Sequence, residues 1–328
     1  MRGCAKASAF VQPRGCRMKQ ILYMEPVLKE RIWGGERLRD FGYSLQSDRV
    51  GECWGVSAHP NGCCRVRSGP YDGRTLADLW SSERELFGGA EGEDFPLLIK
   101  LIDARTDLSI QVHPDDRYAF ENENGAKGKT ECWYVVDAPE GATIIIGHHA
   151  ESRGEFRRMV GEHRYSELLR EIPVKAGDFF QIDPGCVHAI KGGTLILETQ
   201  TNSDVTYRIY DYDRLQNGAL RPLHTKQAID VVEAPFCEAK SRPEKTVTRI
   251  GDCTLTCFSR RPQYTVYLAE TDGTADIPLS GMFHTMSVLS GSGFIDGSRV
   301  TKGDHLILSA GYGNICAVGS FTAMITRV

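Results

Sequence analysis

Three features that define common protein classes are missing from this sequence of 328 residues. No apolar run approaches the about 18 residues that a membrane-spanning helix needs. The formal net charge is -4, so the basic footprint of a nucleic-acid-binding protein is missing as well. The 11 cysteines are scattered and include no Cys-x-x-Cys pair, which argues against a disulfide framework and against a thiolate zinc site. We therefore expect no membrane and no nucleic-acid partner, reduced thiols and a cytoplasmic location.

Acidic residues are absent from residues 1–17, which precede a second methionine, Met18. The segment also lacks the apolar core of a secretory signal. We favour an upstream start or a disordered extension for residues 1–17. A weak organelle-targeting segment is the alternative. The overall composition, 41% hydrophobic and 25% charged, is that of a soluble globular protein with two or three domains.

Two segments in the first half place polar side chains on one face of a strand. Leu108 to His113 alternates strictly before Pro114 ends the strand, so Gln111 and His113 point to the same side and the alternate residues enter the core. Glu131 opens the next predicted strand. An inward face that carries polar atoms in this way indicates a site that requires them.

The stretch 177–200 supplies a second histidine and a second carboxylate. One short strand ends at the Pro184-Gly185 turn, and the next strand carries His188. Alternation then places Glu198 and Gln200 on one face. Taken alone, His188 is as consistent with a hydrogen-bonded structural histidine as with a ligand.

Together, Gln111, His113, Glu131 and His188 offer two imidazoles, a carboxylate and an amide oxygen. This mixed nitrogen and oxygen set suits a divalent metal such as zinc, and with at most four protein ligands it leaves room for water or substrate. The alternative is a hydrogen-bonded polar cluster. We favour the metal because burying so many polar groups without one is costly.

The remaining segments of the first two thirds of the chain read as scaffold. Trp33 and Trp54 are expected in the core, and apolar residues at helical spacing predict a helix over 76–86 and a helical insertion near 151–172. Three histidines in or beside that insertion are expected to be solvated: His148, His149 and His163.

The end of the chain predicts a second small β-domain. Residues 238–245 read as a linker, and 247–328 read as short strands separated by turn signals such as Asp272-Gly273. The only histidines here, His284 and His305, have no ligand set near them.

Four motifs, in this order, resemble the signature of the type I mannose-6-phosphate isomerases: Gln111-Val112-His113-Pro114-Asp115-Asp116, Gly128-Lys129-Thr130-Glu131, Pro184-Gly185 with His188, and Glu198 through Ser203-Asp204 to Arg208. The match is closest to the short bacterial form and covers essentially Met18 to Val328. The resemblance implies a mainly β fold with two cupin-like β-barrels (jelly rolls) and a few inserted helices. The catalytic cupin would span 18–235, and a smaller cupin-like domain without metal ligands would span 240–328.

The resemblance also assigns roles to residues. It implies one zinc ion per chain, held by His113, Glu131 and His188 with Gln111 as a further ligand. Arg208 would be the catalytic arginine. Two further family positions line the pocket and are occupied here by Lys100 and Lys129.

The implied reaction converts mannose 6-phosphate to fructose 6-phosphate through an enediol, whose developing negative charge Arg208 would stabilise. Glu198 is our first choice of base, ahead of a zinc-bound water or Lys129. Lys129 or Arg214 would bind the phosphate. Two alternatives stay open: another metal-dependent cupin enzyme, such as an iron oxygenase or a sugar epimerase, and a non-catalytic cupin that binds sugar phosphates. We expect a hexose 6-phosphate as the substrate and a monomer or weak homo-oligomer.

Overall fold

The computed structural model describes residues 19–328, so the predicted extension at residues 1–17 lies outside the described part. The strands are β1 (Ile21–Glu25), β2 (Val27–Gly35), β3 (Val50–His59), β4 (Gly62–Cys63), β5 (Arg65–Val66), β6 (Leu97–Asp103), β7 (Ile110–Val112), β8 (Glu131–Asp137), β9 (Thr143–His148), β10 (Leu169–Pro173), β11 (Phe179–Ile182), β12 (His188–Ala189), β13 (Leu195–Thr201), β14 (Tyr207–Tyr210), β15 (Leu215–Gln216), β16 (Ala219–Leu220), β17 (Thr246–Ile250), β18 (Cys253–Arg260), β19 (Thr265–Leu279), β20 (His284–Ile295), β21 (Ser298–Thr301), β22 (His305–Leu308) and β23 (Gly313–Arg327).

The α-helices are short: α1 (Leu76–Ser82), α2 (Asp116–Asn122), α3 (Arg153–Gly161), α4 (Tyr165–Leu168) and α5 (Thr225–Val231). Single turns of 3-10 helix lie at Arg37–Phe41, Gly69–Tyr71, Arg84–Phe87 and Glu238–Ser241. The mainly β class predicted from the sequence is confirmed. None of the helices that the structure describes has the length and apolar character needed to cross a membrane.

The first two thirds of the chain form two facing antiparallel sheets. One has the order β11-β8-β13-β6-β3-β2, with β4 paired to β3, and the other has the order β10-β9-β12-β7-β14. A core cluster takes Trp133 and Ile196 from the first sheet and Ile144 and Ile146 from the second, so the sheets pack face to face. Strand β6 is buried along its whole length, as its continuous apolar run predicts.

Helices cover the outer face of the five-stranded sheet. Phe156 and Val160 of α3 pack in one cluster with Val112 of β7 and Val187 beside β12. The helical insertion predicted near 151–172 is wrong at its end. Its last residues alternate between the two faces and pair with β9 as the edge strand β10, where the missing N–H of a terminal proline is tolerated.

The prediction of solvated histidines holds for His149 and His163, which are exposed, but is wrong for His148. His148 is the last residue of β9 and only 4% exposed. Its Nε2 lies 2.9 Å from the backbone oxygen of Glu233, and burial lowers its pKa. A contact between residues so far apart along the chain leaves no trace in local periodicity.

The last third of the chain builds one sheet in the order β17-β18-β19-β23-β20-β22-β1-β5, with β21 paired to β20. The expectation of short strands is wrong for β19 and β23, which pair over 15 residues each. Gly273 lies opposite Gly319, and both have positive φ values, 133° and 124°, that favour glycine. The predicted turn at Asp272-Gly273 is therefore a bend inside a continuous strand.

The pairing of the first strand bears on the predicted domain limits. The first described strand, β1, pairs with β22 near the end of the chain, so this sheet takes strands from both ends of the sequence. The division into 18–235 and 240–328 otherwise stays a prediction.

The last third of the chain and the seven-stranded sheet share a large apolar cluster, on the face of that sheet opposite the five-stranded sheet. Rings of Trp80, Phe87, Phe95 and Phe283 contact one another with centroids 5.1–6.2 Å apart. Aromatic groups of this size bury large areas and dominate the energetics of such contacts. The smaller unit therefore supports the sheet that carries half of the candidate site.

Candidate active site

Three strand ends bring the predicted metal ligands together. His188 opens β12 and is the ladder partner of Gln111 in β7. His113 follows β7 directly, and Glu131 opens β8 in the facing sheet. Ligand atoms of His113, Glu131 and His188 all lie within 4.8 Å of one another, and all three side chains are buried. Both sheets of the sandwich thus contribute to one centre.

Hydrogen bonds orient both imidazoles toward this centre. Nδ1 of His113 lies 2.9 Å from the backbone oxygen of Val205, and Nδ1 of His188 lies 2.9 Å from that of Cys186. A carbonyl oxygen only accepts, so each Nδ1 carries the proton and each Nε2 presents a lone pair, which in His188 faces the amide nitrogen of Gln111 at 3.3 Å. The Nε2 atoms are 3.6 Å and 3.3 Å from the carboxylate oxygens of Glu131.

The protonation states are those that a metal requires. Burial, together with nearby Lys129, lowers the pKa of His113 to about 3, and burial also lowers that of His188. Burial alone would raise the pKa of Glu131, but Lys129 and the imidazoles hold it well below its ordinary value. The site therefore offers two neutral imidazoles and one carboxylate anion.

Unsatisfied polar atoms make the fit to a metal specific. Nε2 of His113 and both carboxylate oxygens of Glu131 are buried and form no hydrogen bond within the described residues. Lys129 Nζ forms an ion pair with Glu131 Oε2 at 2.8 Å. Leaving His113 Nε2 and Glu131 Oε1 unpartnered costs about 1–3 kcal/mol each, and a divalent ion at their common centre would remove that cost.

A cavity of about 350 Å³ opens beside this centre. Among its lining side chains are five that carry positive charge and three that carry negative charge: Arg31, Lys100, Lys129, Arg208 and Arg221, with Glu52, Glu198 and Asp204. Gln111 also lines it, and its Nε2 lies 3.3 Å from Nε2 of His188. A larger open depression of about 730 Å³ adjoins it and shares Asp204 and Thr206. The smaller cavity reaches the ligand set through two of its lining residues, because Gln111 contacts His188 and Lys129 contacts Glu131.

The comparisons with known proteins agree with one another. Residues 21–140 match the family model described as "Phosphomannose isomerase type I, catalytic domain". The mannose-6-phosphate isomerase ManA of Bacillus subtilis is 45% identical over 315 residues, which cover 94% of this chain and 98% of that protein. The chain belongs to the mannose-6-phosphate isomerase family. The predicted resemblance is confirmed.

Two further relatives extend the comparison. The mannose-6-phosphate isomerase of Streptococcus mutans is 45% identical over 297 residues, 89% of this chain and 93% of its own. A crystal structure of the mannose 6-phosphate isomerase from Bacillus subtilis superposes with a TM-score of 0.91 at 44% identity, covering 94% of this chain and 99% of that one. The likeness therefore extends over nearly the whole chain.

In this member of the mannose-6-phosphate isomerase family, Glu198 lies on the cavity floor between two partners. Its Oε1 is 3.2 Å from Lys100 Nζ, and Trp133 Nε1 donates to its Oε2 at 3.1 Å. Lys100 also donates to Gln200 at 2.8 Å. Burial, and secondarily the charge of Glu131, raises the pKa of Glu198.

The predicted arginines separate in the structure. Arg208 lines the cavity, is the ladder partner of Gln111 and has a buried Nε without a hydrogen bond in the described part of the chain. Arg214 does not line this cavity. It bonds to Asp211 and to the backbone oxygen of Asp107, and it lines a shallow depression elsewhere.

Sequence reasoning missed several cavity residues. Arg31 and Glu52, paired at 2.8 Å, form part of the wall. Alternation gave a usable signal for both, because Arg31 shares a face of β2 with Trp33 and Glu52 shares a face of β3 with Trp54. Both tryptophans are buried, at 4% and 1% exposure, as predicted. Arg221 follows a short hairpin whose strands are exposed, so it has no periodic signal.

Proposed function

We propose that this protein is a zinc-dependent aldose-ketose isomerase that interconverts mannose 6-phosphate and fructose 6-phosphate through an enediolate intermediate. The observation that carries the proposal is the cluster of buried ligand atoms of His113, Glu131 and His188 beside a cationic cavity, in which His113 Nε2 and Glu131 Oε1 have no partner among the described residues. The relatives at 45% identity are named mannose-6-phosphate isomerases, and we take the proposed substrate from those names.

His113, Glu131 and His188 would hold one zinc ion per chain, with Gln111 beside them as a further ligand. Two imidazoles, a carboxylate and an amide oxygen suit zinc more than a soft, thiolate-preferring metal. When bound, the ion supplies Lewis-acid polarisation of the substrate's carbonyl and hydroxyl oxygens. All other steps belong to side chains of the cavity.

Glu198 would move the proton between C2 and C1. Its raised pKa brings a carboxylate closer to neutral pH, which favours proton transfer in both directions. Lys100 and Trp133 fix its orientation at 3.2 Å and 3.1 Å. Lys129 is a weaker candidate for the base, because Glu131 and Glu198 outweigh its burial and raise its pKa, so it stays cationic at neutral pH.

Arg208 would stabilise the negative charge of the enediolate. A guanidinium stays charged in proteins, and its fork of donors matches paired oxygens. Arg208 has an unpartnered buried Nε and neighbours Gln111 along the sheet, next to the candidate zinc ligands. Charge stabilisation of this kind by a preorganised group is often the largest single contribution to a rate enhancement.

A coupled assay that follows fructose 6-phosphate formation from mannose 6-phosphate tests the proposal directly. We expect turnover that a chelator abolishes and that zinc restores, together with about one zinc per chain in the purified protein. Glu131→Gln should lose both zinc and activity, whereas the exposed Glu140→Gln should keep both. Binding of mannose 6-phosphate without turnover would favour the sugar-binding alternative, and oxygen uptake with bound iron would favour an oxygenase.

Compartment and assembly remain predictions. All cysteines of the described residues are free, which supports a reducing location such as the cytoplasm. The expected monomer or weak homo-oligomer is open to measurement by light scattering.

A further inference from the structure

The candidate cavity carries more positive charge than its own carboxylates neutralise. Five cationic side chains face three carboxylates in its lining. A phosphate ester carries about -1.5 to -2 charges at pH 7, so a cavity that binds one needs a cation able to pair with it. The question that the cavity raises is which cation is free to meet the phosphate.

Most of the cations already have strong partners. Lys129 and Lys100 lie 2.8 Å and 3.2 Å from buried carboxylates. Arg31 lies 2.8 Å from Glu52. A cation held in this way loses part of its attraction for a further anion, because the partner's charge opposes it.

Arg208 and Arg221 are the two cations with the weakest commitments. Arg208 pairs with no carboxylate among the described residues and donates from NH1 to the backbone oxygen of Pro222 at 2.8 Å, whereas Arg221 has a long ion pair. The recorded contacts of Arg221 in the described part of the chain are to Asp211, with NH1 at 3.3 Å from each carboxylate oxygen. Asp211 also binds Arg214, through a 2.5 Å contact to Oδ1. The Arg221 side chain is 18% exposed, so it faces the opening while most of it is buried.

The chain carries Arg221 to the cavity on a tight hairpin. Strands β15 and β16 are joined by Asn217 and Gly218, whose φ values of 55° and 81° are those of a two-residue hairpin turn. Gln216 and Arg221 reach the cavity, while the hairpin exposes Leu215 and Leu220 to solvent. This hairpin thus forms one wall of the cavity.

Arg221 lies away from the part of the cavity that is next to the candidate metal ligands. Gln111 contacts His188, and Arg208 is the ladder partner of Gln111. Arg208 NH1 in turn donates at 2.8 Å to the backbone oxygen of Pro222, the residue that follows Arg221. A hexose 6-phosphate has its reacting carbons at one end and its phosphate at the other. With C1 and C2 beside Glu198 and the ligand set, the phosphate would fall at the far end of this row.

We infer that Arg221 binds the substrate's phosphate and that Arg208 is thereby left to act on the reacting carbons. The inference rests on the proposed isomerase function for its substrate. An arginine fork can bind two phosphate oxygens at once, and such charge-assisted bonds are strong. Arg214, the arginine suggested by sequence alone, is held outside the cavity by Asp211 and Asp107.

The test is a kinetic comparison of Arg221→Gln with Arg105→Gln, an exposed arginine outside the cavity that controls for the loss of one positive charge. We expect Arg221→Gln to raise KM for mannose 6-phosphate about 10- to 100-fold and to leave kcat within about 3-fold. The inhibition constant of inorganic phosphate should rise in parallel. Arg221→Lys, which keeps the charge without the fork, should recover part of the loss.

Two results would overturn the inference while leaving the isomerase function intact. One is an unchanged KM and phosphate inhibition constant in Arg221→Gln. The other is an equal or larger rise of KM in Arg214→Gln.

If the wild-type protein shows no turnover, the proposed function fails, and calorimetry still tests Arg221. Tighter binding of mannose 6-phosphate than of mannose, lost in Arg221→Gln, would support the anchoring role, and a preference that survives the substitution would refute it.

Discussion

The backbone oxygen of Glu131 accepts a hydrogen bond of 2.9 Å from the side-chain amide of Gln181. The same amide is held by the smaller unit, because Ser259 Oγ donates to its oxygen at 2.8 Å and its nitrogen lies 3.1 Å from the hydroxyl of Tyr264. Gln181 is only 1% exposed. One buried side chain therefore connects a candidate zinc ligand to the last third of the chain.

Ser259→Ala should destabilise the protein and weaken the candidate zinc site. The substitution leaves the buried oxygen of Gln181 without its donor, which costs about 1–3 kcal/mol of unfolding free energy. Loss of an outer hydrogen bond around a ligand typically weakens metal affinity about 10- to 100-fold. Denaturant unfolding and competition with a zinc indicator measure the two effects, with the exposed Ser290→Ala as the control. Unchanged zinc affinity would confine Ser259 to a structural role.

Glu198→Gln should lower kcat about 100- to 10,000-fold with little change in KM or zinc content, since it removes a proton acceptor and keeps the shape. Burial raises the pKa of Glu198, so in the wild type kcat should fall as pH drops through a value above the ordinary range of glutamate. Only the deprotonated carboxylate can accept the proton. Retention of kcat within about tenfold in Glu198→Gln would identify another group as the base.

A pH profile of kcat from 5 to 9 separates the two forms. The wild type should show the acidic limb, and the residual activity of Glu198→Gln should lack it. Glu140→Gln, an exposed substitution of the same kind, should reproduce the wild-type profile.

The ligand set could be predicted from sequence because its signals are local. His113 and His188 stand beside Pro114 and the Pro184-Gly185 turn, and Glu131 opens a strand with clear apolar residues. Such positions, where alternation meets a turn, show which face a side chain takes. That the two faces meet at one centre is inferred from the inward strand faces and sharpened by the family resemblance, and the distances between the ligand atoms support it.

The remaining cavity could not be predicted in the same way. Arg221 follows two-residue strands that are exposed throughout, so no hydrophobic pattern fixes its direction. Arg214 has the same charge and stands closer to Arg208 in sequence, but Asp211 and Asp107 hold it elsewhere. The partners of a long, flexible cation are set by tertiary contacts, which local patterns do not report.

Arg208→Lys should lower kcat about 100- to 1,000-fold at nearly constant KM. Lysine keeps the charge but loses the fork of donors that would meet the enediolate oxygens. The matched comparison is Arg221→Lys, for which we expect the opposite division between the two constants. A raised KM with preserved kcat in Arg208→Lys would make Arg208 the phosphate anchor and would contradict both assignments.

The buried His305 should make the stability of the folded protein sensitive to acid. It is 2% exposed, its Nδ1 lies 2.8 Å from Ser287 Oγ, and its Nε2 lies 3.0 Å from the hydroxyl of Tyr43. Burial lowers its pKa to about 4 from an ordinary value of 6.5. Below pH 6.5 the unfolded chain binds a proton that the folded protein does not, so stability falls with pH until about pH 4.

The expected loss from His305 is about 3 kcal/mol of unfolding free energy between pH 7 and pH 4, at about 1.4 kcal/mol per unit of pKa shift. His284, whose pKa burial also lowers to about 4, should add to the wild-type slope. Urea unfolding of the wild type and of His305→Gln isolates the first contribution, because glutamine does not titrate in this range. Equal pH slopes for the two proteins would show that folding does not lower the pKa of His305.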